Sequence, residues 1–296
     1  MKGLVFGKTG QVGRSLSGSL KSLETAWFLD RERADLSRPE TVRTAIETLE
    51  PDVVINTAAY TAVDQAESEP ELARVVNADA PAAMARACAG IGAWLVHYST
   101  DYVFDGTAAE PYGEDDPVSP LNVYGRTKLA GEEAIREIHD RHLIFRTSWV
   151  YSNHGRNFLN TMLRLAAERD ELNIVSDQIG APTYAGSIAD GTEKVLHVLS
   201  AHHAEDAGVA GVAGVYHMTC AGRTSWYDFA RSIFELSGWS DKVRVNPLAT
   251  EAFPTPARRP LFSLLSNEKL ERVFGVRLET WDDALRRCLS EREDNK

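Results

Sequence analysis

Cysteine is scarce: the 296-residue chain has three, Cys88, Cys220 and Cys288. They are odd in number, far apart and without the paired spacing of a zinc or iron–sulfur site, so they fit buried thiols in a reducing cytosol. Also missing is any apolar run of about 20 residues, which excludes a helical membrane span. The opening MKGLVFGKTG lacks the basic segment, long apolar run and small-residue cleavage site of a signal peptide, and it reads as a mature N-terminus. A cytoplasmic location is the expectation. Positive charge is in deficit, with 32 Lys and Arg against 43 Asp and Glu, a formal net charge of −11. Phosphate recognition on nucleic acids needs clustered cations, so no nucleic-acid partner is expected. Repeats are absent, and the one low-complexity stretch, AEDAGVAGVAG from residue 204, reads as a surface loop.

What is present is ordinary globular material, 43% hydrophobic and 25% charged, which argues against disorder and fibrous folds. The length allows one large core or two modest ones. In the first half the short runs GLVF, AWFL, DVVIN, WLVHYS and LIFRTS alternate with amphipathic stretches, the signature of βαβ units. Their almost continuous apolar character suits parallel strands covered on both faces. The fold class predicted is α/β, a Rossmann-type doubly wound parallel sheet with a smaller mixed α/β substrate-binding domain. Residues 1–150 are read as the dinucleotide-binding domain, with a segment near 186–220 returning to it, and 151–296 as mainly the substrate domain. Pro39 and Ser68 are read as helix-start signals.

Directly after the first apolar run comes GKTGQVG, with Gly7, Gly10 and Gly13 at the predicted strand-to-helix turn. Glycines there permit a tight turn and close approach of a pyrophosphate, while the helix N-terminus supplies unpaired N–H groups. The spacing is GxxGxxG, typical of extended short-chain dehydrogenases. Asp30 stands about 17 residues beyond Gly13, where a carboxylate can accept from the adenine ribose. That favours NADH, whereas Arg31 and Arg33 can reach a 2′-phosphate, so NADPH and NADH both stay open. The small residues of AAYT, Ala58 to Thr61, follow the third strand and allow backbone approach to the cofactor.

The segments STDYVFDG and YGRTK carry the chemistry. Tyr124 and Lys128 are four apart and share one face of a helix. Protonating the alkoxide formed by hydride reduction of a ketone needs a donor, and a phenol of pKa about 10 becomes a better one beside an ammonium group. Thr100 can hydrogen-bond the same carbonyl oxygen, with Ser99 as the competing hydroxyl. A YxxxK alone is a weak signal, since a ring and an amine on one helix face are usually packing and solvation. Its order after the glycine turn, the acidic strand end and the Ser/Thr pair is what points to hydride chemistry.

With these residues in place the chain resembles the dTDP-4-dehydrorhamnose reductase family. The stretches that carry the resemblance include FGKTGQVG, NTAAYTAVDQAESEPELARVVNA, VHYSTDYVFDGT, PLNVYGRTKLAGE, FRTSWVYS, DQIGAPTYA and RRPLFSLLSNEKL, which together run from residue 4 to about 270. The resemblance implies an NAD(P)H-dependent oxidoreductase that reduces the 4-keto group of dTDP-4-dehydro-6-deoxy-L-mannose to give dTDP-L-rhamnose. It implies Tyr124 as proton donor, Lys128 as its modulator and ribose anchor, and Thr100 as the hydroxyl orienting the carbonyl. For the cofactor it implies Gly7, Gly10, Gln11, Val12, Gly13, Asp30, Arg31, Asp35, Leu36, Ala58, Ala59, Tyr60 and Thr61 beside the reactive pair. Asp101 and Trp149 match positions lining the sugar.

Asn157, Gln178, Pro182, Thr183, Arg258 and Arg259 are the remaining substrate-side candidates, because a sugar nucleotide needs cations for its pyrophosphate and a slot for its base. An Arg beside a Pro is commonly a structural clamp, and Trp226 is read as packing a helix start. Some family members hold magnesium at a dimer contact through glutamates. This chain has Ser15 and Gly186 at those points, which offer no carboxylate to a hard cation. The expectation is no metal site and a monomer or weak homodimer instead of that metal-linked dimer. The alternatives are another nucleotide-sugar reductase or epimerase of the same superfamily, or a non-catalytic regulatory subunit on this fold.

Overall fold

The computed structural model describes residues 1–204 and 211–293. The segment read as a surface loop falls largely on 205–210, outside the described residues. Strands β1 (Lys2–Phe6), β2 (Thr25–Leu29), β3 (Val53–Asn56), β4 (Trp94–Thr100) and β5 (His142–Thr147) form one sheet with the edge strand Gly214–His217. The order is Gly214–His217, β5, β4, β3, β1, β2, and every pairing is parallel. The fold class is therefore the one predicted. The chain reverses its direction of winding between β1 and β3, and ligands bind outside the carboxyl ends of strands at such a reversal.

Alternation along β1 explains the layering. Leu4 and Phe6 enter one apolar cluster with Leu29, Ile46, Met84 and Ile144, while Val5 enters the other. That second cluster runs without a break from Val5, Ile55 and Val96 to Leu159, Ile188, Phe229 and Leu285. The helices Phe158–Glu168, Ala185–Ala204, Trp226–Leu236 and Trp281–Glu293 thus pack into a core shared with the sheet. Gly214–His217 lies beside β5 in the sheet. Away from the sheet, Arg244–Leu248 pairs in parallel with Glu171–Val175.

Helix α1 (Gln11–Ser19) follows the glycine turn, and Pro39 occupies the first turn of α2 (Pro39–Leu49), where its missing N–H costs nothing. Ser68 differs from expectation. The Pro70–Arg74 helix has Glu69 at its cap without a side-chain bond, and the Ser68 hydroxyl donates backwards to the Gln65 carbonyl. A π-helical stretch, Val75–Asp79, then leads into the helix Ala80–Ile91. All three cysteines are buried free thiols. Among the described residues no helix is long and apolar enough to cross a membrane.

Candidate active site

At the end of β1 the chain turns through Gly7, whose φ of 90° lies in the left-handed region. A Cβ on Gly13 would sit 2.1 Å from the Gly7 carbonyl oxygen, so only glycine lets α1 approach the turn so closely. A Cβ on Gly10 would meet nothing but that oxygen, at 3.3 Å, which leaves its outer side open to ligand. Gly7, Gly10, Gln11 and Val12 share the lining of a cleft of about 470 Å³ with Ala58, Ala59, Thr61, Tyr124 and Lys128. Gly13 supports the turn from behind instead of lining the cleft.

A second hollow of about 190 Å³ shares Gly7, Ala58 and Ala59 with the first and adds Asp30, Arg31, Asp35, Leu36 and Tyr60. Burial works to raise the Asp35 carboxyl, but hydrogen bonds from the Ser37 backbone and side chain and from the Arg31 side chain hold it below the usual range. Ser99 Oγ and Thr147 Oγ1 line the main cleft, are buried, and have no protein partner. Orphaned hydroxyls of this kind suit a polar ligand. The set fits an extended dinucleotide, with Asp30 and Arg31 lining the smaller hollow and Tyr124 and Lys128 the larger one.

The helix Val123–Ile138 carries Tyr124 and Lys128, and local contacts fix its position. Asn122 caps it, accepting from Gly125 N–H at 2.8 Å and donating to the Arg258 carbonyl at 2.8 Å. A Cβ on Gly125 would be 2.2 Å from the Tyr102 carbonyl oxygen, and one on Gly131 2.1 Å from that of Asn77. From the π-helical stretch Asn77 holds both sides: it bonds the Tyr60 N–H at 2.8 Å, the Tyr60 carbonyl at 3.1 Å and the Thr127 hydroxyl at 3.1 Å. The cleft wall and the reactive helix are therefore joined through one buried amide.

Tyr124 is partly open to the cleft, with the Tyr102 ring edge-on at 5.7 Å. Desolvation raises its phenol to about 12, while a hydrogen bond with Thr100 pulls the other way. Lys128 is 1% exposed, and burial lowers its amine to about 8. The amine donates to the Tyr98 carbonyl at 2.6 Å and meets His97 Nε2 at 3.0 Å, so its partners lie on β4 and not on the phenol. Thr100 is buried at the end of β4 and donates to Asp101 Oδ1 at 3.0 Å. Burial pushes the Asp101 carboxyl up to about 7, with the Ser263 and Thr100 hydroxyls working against that rise.

The substrate-side candidates divide. Trp149 adopts φ 47°, and its ring leaves no room for a side chain at position 180, where a Cβ would be 2.7 Å from it. The Asn157 side chain is engaged elsewhere: it caps Phe158–Glu168 and donates to Gln11 Oε1 at 2.8 Å and Ser152 O at 2.8 Å, tying the phosphate turn to the 152–157 loop. Gln178 is buried and donates to Thr250. Thr183, beside Pro182, is fully buried between the Ala181 carbonyl and the Cys220 N–H. Arg259 is the structural clamp its neighbour Pro260 hinted at, held by both oxygens of Asp64 at 2.9 and 2.8 Å, whereas Arg258 is exposed.

At positions 15 and 186, the Ser15 hydroxyl donates to the Gln11 carbonyl, and a Cβ on Gly186 would lie 2.4 Å from the Tyr184 ring. The cleft is also lined by Thr9, Arg14, Thr57, His154 and Arg156, which were not among the candidate site residues. Thr9 and Thr57 fall inside quoted motifs, while the others only adjoin the glycine turn or Asn157 in sequence.

Known proteins are similar to this chain in sequence and fold. The family model described as RmlD substrate binding domain matches residues 1–293. A dTDP-4-dehydrorhamnose reductase of Burkholderia thailandensis is 50% identical over 297 residues, covering 98% of each chain. Among solved structures, a dTDP-4-dehydrorhamnose reductase of Clostridium acetobutylicum is 39% identical with a TM-score of 0.90, covering 99% of this chain and 100% of that one. One from Bacillus anthracis, in complex with NADP, is 36% identical with a TM-score of 0.89, covering 98% of this chain and 99% of that one.

Proposed function

The chain belongs to the dTDP-4-dehydrorhamnose reductase family, and from that premise we propose that it reduces the 4-keto group of dTDP-4-dehydro-6-deoxy-L-mannose to give dTDP-L-rhamnose. The observation that carries the reading is the single cleft lined both by the Gly7–Gly10 turn and by Tyr124 with Lys128. NADPH or NADH, when bound there, supplies the hydride.

As the carbonyl oxygen gains negative charge, Tyr124 gives it the phenolic proton. A phenol raised to about 12 is fully protonated at neutral pH, which is the state a donor needs. Thr100, buried at the end of β4, orients the same oxygen. Lys128 anchors the nicotinamide ribose and, as an ammonium, stabilises the phenolate left behind. Gln11, Val12 and Ala58 to Thr61 line the cofactor's path, with Asp30, Arg31, Asp35 and Leu36 at its adenosine end. Asp101 and Trp149 face the sugar, and Arg258 offers charge to the substrate pyrophosphate. Gln178, Pro182 and Thr183 shape the substrate side through buried contacts.

The test is turnover of dTDP-4-dehydro-6-deoxy-L-mannose followed by loss of reduced nicotinamide absorbance. Tyr124→Phe is expected to lower kcat by about 10³-fold, in the range for losing a general acid, while reduced cofactor still binds. Wild-type rates in that variant would refute the role of Tyr124, and no turnover by the wild type would refute the reaction.

A further inference from the structure

The buried side chain closest to the reactive amine is one the reaction above does not use. His97, on β4, is 1% exposed and lies between Asn56 and Lys128: Asn56 Nδ2 to His97 Nδ1 is 3.0 Å, and His97 Nε2 to Lys128 Nζ is 3.0 Å. The direction of this chain is set at its far end. The Ala58 backbone N–H donates to Asn56 Oδ1 at 3.1 Å, so the amide nitrogen is the atom turned to the imidazole. An amide N–H only donates; Nδ1 therefore accepts, and a neutral imidazole carries its proton on Nε2. That N–H points at Lys128 Nζ, which can accept it only as an uncharged amine.

We propose that His97 is a positioning residue that, together with Asn56, favours Lys128 as an uncharged hydrogen-bond acceptor in the cofactor-free enzyme in mildly alkaline solution, and that cofactor binding there is coupled to uptake of one proton by this chain. The proposal rests on the reading of Lys128 as the ribose anchor. An imidazolium alternative is disfavoured, since burial and the neighbouring Lys128 hold His97 well below its ordinary value. The lowered amine of Lys128 agrees with the same direction.

The other groups around the amine do not reverse this. Glu132, one turn further along the same helix, attracts an ammonium but is itself bound to Arg146 of β5 at 2.7 Å, with both side chains buried. Tyr124 stands one turn before, Asn77 and Thr127 are neutral, and β4 presents the Tyr98 carbonyl, which accepts from amine and ammonium alike. Charging Lys128 requires Nε2 to become an acceptor, with the imidazole proton on Nδ1. Asn56 must then turn its carbonyl to Nδ1 and release the Ala58 N–H. Ala58 lines the cofactor cleft, so a bound dinucleotide can take up that N–H while its ribose takes up the ammonium. The balance is one proton from solvent, held at Lys128 Nζ, with no bond to carbon made or broken.

Nitrogen-15 histidine NMR of the cofactor-free protein reads the tautomer directly and needs neither substrate nor turnover. The expected result at about pH 9, above the break of the amine, is His97 protonated on Nε2, and a proton on Nδ1 at that pH would overturn the proposal. A second measurement follows NADPH affinity against pH by fluorescence. Wild-type affinity should weaken about tenfold per pH unit above a break near 8. In Asn56→Asp a carboxylate accepts from Nδ1–H, and in His97→Gln an amide carbonyl faces the amine, so both should move the break up by about one pH unit or more. An unmoved break in both variants, with native circular dichroism, would also overturn it. Failure of wild-type turnover would instead count against the assigned reaction, leaving the tautomer result standing.

Discussion

The indole of Trp149 lies flat on that of Trp226, with centroids 3.6 Å apart and planes 8° from parallel. Trp149 keeps this pose in a left-handed backbone conformation that bulky residues rarely adopt, and Gly180 leaves the opposite space free for its ring. Trp226 begins the helix capped by Ser225, whose hydroxyl accepts from the Asp228 N–H. Reading Trp226 as packing for a helix start was thus half of the account: its ring also supports the indole of Trp149, proposed above to face the sugar. Trp226→Ala should raise KM for the sugar nucleotide about tenfold, or ~1.4 kcal/mol, and leave NADPH affinity within about twofold. Steady-state kinetics with cofactor titration separates these effects, and an equal loss for both ligands would contradict the support role.

Asp101 gives stability a pH dependence of predictable sign. Its carboxyl is raised from 3.8 to about 7 because burial penalises the charge. Between those values the folded protein holds a proton that the unfolded chain has released, so stability falls as pH rises through this window and levels off above it. Asp101→Asn keeps the acceptor for Thr100 and removes the charge. The variant should match the wild type near pH 4 and be more stable at pH 8, by at most about 4 kcal/mol. Thermal unfolding at the two pH values measures this, and a gain that is equal at both would exclude the titration as its source.

Adjacent arginines should behave differently. Arg259 is held by Asp64 through two hydrogen bonds and also donates to Thr255 and Ala257, fastening the 255–259 loop to the segment beside the cofactor wall. Arg259→Ala should cost about 1 to 2 kcal/mol of stability, and Arg259→Lys should not restore it, since an ammonium cannot make the paired contact. Arg258→Ala, at an exposed side chain, should leave denaturation midpoints unchanged and raise KM for the sugar nucleotide several-fold. Equilibrium denaturation and kinetics on both variants decide the matter.

The sequence made the parallel strands legible because two-sided burial imposes almost unbroken apolar runs, and the glycine turn legible because close approach admits no side chain. The reactive pair was legible because a helix brings residues four apart to one face. His97 was not, since a lone histidine in an apolar strand is indistinguishable from core until Asn56 and Lys128 are seen on either side of it. Arg259 finds its carboxylate 195 residues away at Asp64, a pairing no local pattern encodes. Asn157 matched a substrate motif, yet its amide ties the phosphate turn to the 152–157 loop through Gln11. Spacing marks which residues share an element; it does not say which way a polar side chain turns when several partners compete for it.

Cofactor choice turns on the end of β2. Asp30 lies in the adenosine hollow, its carboxylate accepting weakly from the Arg33 N–H at 3.3 Å, and so stays available to ribose hydroxyls. Arg31 lines the same hollow, with its guanidinium 3.3 Å from Asp35 and its side chain 78% exposed. An exposed pair of this kind is weak, so the guanidinium can leave Asp35 for a 2′-phosphate at little cost. Both NADH and NADPH should therefore support turnover, with kcat/KM values within about 100-fold, or ~2.7 kcal/mol. Arg31→Ala should lower kcat/KM for NADPH by about five- to tenfold and leave that for NADH unchanged. Equal losses with the two cofactors would show that Arg31 contacts the part they share, and that the 2′-phosphate is read by another residue.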